Sequence, residues 1–103
     1  MADPMKIRAS VVGDSTEIKV LMSHEMETGQ RKDAKGQVIP AWFIQNVMVV
    51  WNDRTVLSAQ WGTAVAKNPF LSFKFKGGAK GDKVTITWMD NRGDKRTDEA
   101  VIA

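Results

Sequence analysis

Alternation of side chains with period two constrains this chain more than any other feature. Leu71, Phe73 and Phe75 are interleaved with Ser72, Lys74 and Lys76, a pattern that places apolar groups on one side and charge on the other only when the backbone is extended. The same alternation recurs in Met5, Ile7, Ala9 and Val11 against Lys6, Arg8 and Ser10, and in Ile18, Val20 and Met22 against Glu17, Lys19 and Leu21. It returns in Leu57, Ala59 and Trp61 against Ser58 and Gln60, and in Val84, Ile86 and Trp88 against Thr85 and Thr87. A further run from Trp42 to Trp51 is apolar at both parities, as expected of a central strand covered on both faces or changing sheets, and Thr97 to Ile102 reads as a short final strand.

Turn chemistry separates these runs: Gly13-Asp14-Ser15, Asn52-Asp53, Asn68-Pro69, Gly77-Gly78 with Lys80-Gly81-Asp82, and Asp90-Asn91-Arg92-Gly93. About seven strands at this spacing, with no helical period, predict an all-β chain folded as an immunoglobulin-like antiparallel β-sandwich, with a barrel as the structural alternative. At 103 residues, without an internal repeat or linker, residues 1–103 form one domain. Residues 23–39 lack a strand period and stand out as a long connection, the kind that is either functional or mobile.

The candidate chemistry is sparse. No cysteine is present, which removes disulfides, thiolate metal sites and thiol nucleophiles. His24 is the single histidine and sits beside Glu25 and Glu27, too few convergent ligands for a zinc site and no triad for nucleophilic catalysis. A hydrogen-bonded structural or interface histidine is the better reading. The glycines at 77, 78 and 81 join two strands and open no helix, so a hairpin turn is preferred to a phosphate cradle. No cofactor, metal or catalytic residue is expected.

The net charge of +3 is unevenly spread: Lys67, Lys74, Lys76, Lys80 and Lys83 face Asp82 alone, predicting a basic strip on one hairpin. Nucleic acid is disfavoured because Phe73 and Phe75 point inward where Lys74 and Lys76 point outward, so bases and phosphates cannot be held together. Phe70 shares the parity of the lysines and is a candidate exposed anchor. Four tryptophans are more than one core requires. Trp42 and Trp51 have opposite parity along the central strand, which places one of them outside, and a surface tryptophan is a typical interface anchor. The N-terminus carries no signal-peptide run and no apolar stretch spans a membrane, so the residues alone suggest a cytoplasmic, soluble chain.

Several strings, taken in order, resemble one family. They are Lys19-Val20-Leu21 leading into His24-Glu25-Met26-Glu27-Thr28-Gly29, then Arg31-Lys32-Asp33, Ile39-Pro40-Ala41 with Phe43-Ile44, and Thr55-Val56-Leu57-Ser58-Ala59 followed by Trp61-Gly62. Lys67-Asn68-Pro69-Phe70, Phe73-Lys74-Phe75-Lys76-Gly77 and Val84-Thr85-Ile86-Thr87-Trp88 with Asp90-Asn91 complete the set. Together they resemble SoxZ, a subunit of the SoxYZ sulfur carrier of bacterial thiosulfate oxidation; that family commonly has proline after the histidine, where this chain has Glu25. The resemblance implies a non-catalytic partner of SoxY in a heterodimer, since the cysteine arm that carries the sulfur intermediates belongs to SoxY. It also implies transient contact with other Sox enzymes, self-association when alone, and a periplasmic location reached by export with SoxY. His24, Met26, Trp42 and Phe70 are the partner-interface candidates. A basic β-sandwich module for another anionic partner is the alternative.

Overall fold

The computed structural model describes residues 3–103. Seven strands occupy the alternating runs: β1 (Lys6–Val12), β2 (Ser15–Leu21), β3 (Ile44–Trp51), β4 (Arg54–Gln60), β5 (Phe70–Lys76), β6 (Lys83–Asp90) and β7 (Lys95–Val101). They form two antiparallel sheets, one ordered β1-β2-β5 and the other β4-β3-β6-β7, so the chain is an all-β sandwich. Among the described residues no helix is long and apolar enough to cross a membrane.

The inward residues of each run meet between the sheets. Ile18 and Val20 from one sheet face Ile44, Val47, Val49, Val84 and Ile86 from the other, all exposed by 1% or less. Fully burying a side chain of this size stabilises by roughly 1.5–3 kcal/mol, and the contiguity of the cluster makes a single core. One flank is zipped shut, since β1 and β7 converge. Past β7 the chain joins β1: Val11 N donates to Ala103 O at 3.1 Å and Ala103 N donates to Ala9 O at 2.8 Å. Here β7 turns Arg96, Asp98 and Ala100 inward, and Asp98 accepts from both Arg96 and the amide of Met5.

Three expectations from the sequence need correction. First, β3 carries an extra residue where Ile44 pairs with Asp90 and Asn46 with Met89; this β-bulge reverses the parity within the strand. Ile44 and Val47 are therefore both buried while Gln45 and Asn46 are both exposed, and Trp42 and Trp51 lie on the same inward side, each half-buried. Second, residues 77–82 do not close a hairpin, because β5 and β6 belong to different sheets. The connection crosses between them at Gly77 (φ 105°) and Gly78 (φ 89°), and a Cβ on Gly78 would sit 2.1 Å from Thr16 Oγ1.

Third, the basic strip is divided. Lys67 pairs with Glu25 and Lys83 with Glu99. Lys74 and Lys76 instead join Lys6, Arg8 and Lys19 on the outer face of the three-stranded sheet, where Glu17 is the single carboxylate in the register.

Candidate functional site

Three of the four interface candidates, with Phe70 beside them, gather at the end of the sandwich where β2 finishes and β5 begins. The organising group is Asp90, the last residue of β6, which is 2% exposed. Its Oδ2 accepts from Trp42 Nε1 at 2.7 Å and lies 3.1 Å from His24 Nε2. Its Oδ1 accepts from the amides of Arg92 and Asp94, each at 2.9 Å. Burial alone pushes the Asp90 carboxyl up; His24, Trp42 and the two amides outweigh it and hold the group below the ordinary aspartate value. A buried carboxylate with every acceptor site used is thereby kept ionised, and it ties the β6–β7 turn to two distant segments.

His24 is 6% exposed, and its tautomer follows from its neighbours. The amide of Met26 donates to Nδ1 at 3.1 Å, so that nitrogen presents a lone pair and the proton sits on Nε2, aimed at Asp90. The pairing resembles the carboxylate-imidazole half of a hydrolase triad. Chemically it differs, because the nitrogen that would take a proton from a nucleophile is already bonded to a backbone amide. The ring packs against Trp42 at 4.9 Å and edge-on to Trp88 at 5.2 Å between centroids. The backbone of His24 is clamped as well: Asn68 Oδ1 accepts from its amide and Asn68 N donates to its carbonyl.

Met26 is also buried, at 5% exposure, with φ of 50°, and its sulfur accepts from the amide of Ile44. His24 and Met26 therefore lie beneath the surface, where they shape it without touching a visitor. Trp42 is half-buried and carries the Arg92 guanidinium over its ring at 4.3 Å. Phe70, 62% exposed, is the outward aromatic. A cleft of about 360 Å³ opens beside the cluster, lined by Ser23, His24, Trp42, Asn68, Trp88 and Arg92 together with acidic residues. Trp88 Nε1, in its wall, is buried without a hydrogen-bond partner among the described residues.

From this base rises the long connection. Glu27 and Trp42 exchange backbone hydrogen bonds at 2.6 and 3.0 Å, Ile39 N donates to Arg31 O, and Asp33 N donates to Gln37 O. Asp33 Oδ1 caps the tip by accepting from the amides of Lys35 and Gln37, and Arg31 pairs with Glu27 at the root. The segment without a strand period is thus an irregular two-legged arm whose rungs at Glu27–Trp42 and Lys32–Val38 are isolated. The molecule measures 53 × 21 × 19 Å, and a seven-residue strand spans only about 23 Å, so its end structures give it its length.

Asp90 and Asn68 are the residues that sequence reasoning missed as site organisers. Both stood in plain turn signals, and nothing in a turn signal says which buried donors its side chain will meet. Among the described residues no group of three or more His, Cys, Asp or Glu side chains is placed to hold a metal ion.

A family model described as sulphur oxidation protein SoxZ matches residues 5–101. No curated protein matches the sequence. Among solved structures the chain is similar to a superoxide reductase (neelaredoxin) from Archaeoglobus fulgidus in its reduced form, with a TM-score of 0.58 at 19% identity, covering 97% of this chain and 86% of that one. At that identity the likeness shows a shared β-sandwich fold and nothing of activity.

Proposed function

From the premise that this chain belongs to the SoxZ family and so has a role in the sulfur-oxidising Sox system, we propose that it is the non-catalytic half of a two-chain sulfur carrier. It binds SoxY and presents it to the other Sox enzymes. The observation that carries this reading is the family match over nearly the whole chain. The chemistry at the Asp90 end is consistent with it: the histidine is committed to Met26 and Asp90, and no cysteine exists to carry sulfur. A periplasmic location is part of the same proposal.

Pairing with another protein also suits the surface, where Leu21, Met48, Phe70 and Met89 are large apolar side chains left exposed. Of the four interface candidates, Phe70 and the exposed part of Trp42 would make contact, while His24 and Met26 would hold the contacting loops in place. The test is co-expression with SoxY followed by gel filtration. A stable one-to-one complex is expected; separate elution of the two chains overturns the reading.

A second reading, a module for a different anionic partner, is favoured by one observation: five cations and one carboxylate on the outer face of the β1-β2-β5 sheet. It predicts association that weakens steeply with salt, because exposed charges are screened over roughly 10 Å at 0.1 M ionic strength.

A further inference from the structure

The two flanks of the sandwich are finished differently. On the β1/β7 flank the sheets converge and the Ala103 backbone bonds close the gap. On the other flank a four-stranded sheet ending in β4 faces a three-stranded sheet ending in β5, so the sheet above β4 is one strand short. Leu57 and Ala59 on the inner face of β4, Trp61 just past its end, and Leu71 and Phe73 on β5 consequently stay half-buried.

The phase of the β2–β5 ladder identifies the free backbone groups. Met22 N donates to Pro69 O at 2.9 Å and Gly77 N to Asp14 O at 2.8 Å, so the bonded pairs between them fall on Leu71, Phe73 and Phe75. The N–H and C=O groups of Ser72 and Lys74 then point off the sheet. Among the described residues no backbone bond from a loop reaches them.

We propose that β5 is a docking edge that accepts one extended segment of a protein partner, with apolar side chains turned inward and acidic side chains outward. The added strand would pair with Ser72 and Lys74 and lie over Leu57, Ala59 and Trp61, completing a four-on-four sandwich. Its outward residues would stand beside Lys74 and Lys76, on a face that also carries Lys6, Arg8 and Lys19 against Glu17 alone. That charge selects an acidic segment and disfavours a second copy of this chain, whose β5 would set lysine against lysine. The β4 edge is the poorer acceptor, since a strand added beyond it would cover no inward side chain of the opposite sheet. The inference deepens the pairing reading by naming how a partner attaches, and rests on that reading only for the natural ligand being a protein.

The test titrates the isotopically labelled protein with a short capped peptide alternating valine and glutamate, and with a control in which lysine replaces glutamate. Binding of the glutamate peptide should slow amide exchange at Ser72 and Lys74 by about tenfold or more and shift the Trp61 indole signal, with the lysine peptide weaker by about tenfold. Ser72→Pro removes one off-edge donor while sparing the bonds to β2 and should abolish the protection; Lys74→Glu, which leaves the backbone alone, should reverse the preference between peptides. Absence of protection with both peptides, protection confined to another surface, or equal binding of the two overturns the proposal. Gel filtration with SoxY decides the pairing reading separately, so a failure of either is read without the other.

Discussion

Replacing Asp90 by alanine removes an acceptor on which the buried His24, the half-buried Trp42 and two turn amides converge. A hydrogen bond to a charged group contributes about 1.5–3 kcal/mol, and an orphaned buried donor costs about 1–3 kcal/mol. The Arg92 and Asp94 amides sit in an exposed turn where water can replace the carboxylate, so the loss rests on His24 Nε2 and Trp42 Nε1. Together they imply a destabilisation of about 3–5 kcal/mol, about a fifth or more of the stability of an ordinary domain. The melting temperature should fall by at least about 12 °C. Asp90→Asn keeps the shape but turns an NH2 group toward N–H donors, and should cost about 2–4 kcal/mol. The folded-state carboxyl is held below its unfolded value. Its contribution is therefore complete above about pH 4 and is lost as pH falls through the folded value, so wild type and Asp90→Asn should approach each other below about pH 4. Urea denaturation followed by tryptophan fluorescence measures both quantities. A loss below about 1 kcal/mol for the alanine variant, or a gap that does not narrow in acid, refutes the assignment of Asp90 as the anchor of this end.

Other outcomes follow from single contacts. Gly78→Ala should destabilise by about 2–4 kcal/mol, because the new Cβ meets Thr16 Oγ1 in a left-handed backbone conformation; calorimetry would show it. Trp51→Phe forfeits the bond from Nε1 to Asp82 Oδ2 and should cost about 1–2 kcal/mol in urea melts. Phe70→Ser should leave stability within about 0.5 kcal/mol and, under the proposed pairing, weaken SoxY binding by about tenfold or more in titration calorimetry. Asp98 is held low first by Arg96, with burial opposing and the Met5 amide adding to it; Asp98→Asn should destabilise above about pH 4, with the deficit shrinking in acid.

The strands were legible because each is half-buried, and half-burial writes itself into the chain as alternation. Leu71, Phe73 and Phe75 needed no tertiary knowledge to be placed. What the linear pattern concealed was every feature fixed by a partner across space. An inserted Gln45 leaves no mark in composition, yet it brought Trp42 and Trp51, expected on opposite sides of the strand, to the same inward side. Glycines 77, 78 and 81 look the same whether a chain folds back in one sheet or passes to another; Thr16, sixty-two residues before Gly78, decides the close approach. Likewise Asp90 reads as an ordinary turn residue until His24 and Trp42 are brought to it. Phe70 is placed outward by its parity with the lysines and stands in solvent, whereas Met26 lies in a segment without a strand period, carries no such mark, and is sealed below.

The Glu27–Trp42 rung places the root of the arm on the same tryptophan that Asp90 holds. Tilting that root means breaking a partly buried, charge-assisted bond, whereas the tip around Asp33 is restrained, among the described residues, by its own few rungs. Such a structure is like a mast stepped into the hull: the direction of reach is set at the root, and the top holds its shape by its own stays. A visitor that pulled Trp42 away from Asp90 would break one of the four bonds Asp90 accepts and leave His24, Arg92 and Asp94 still held by it, so the root could yield while the loops beneath it stay in place.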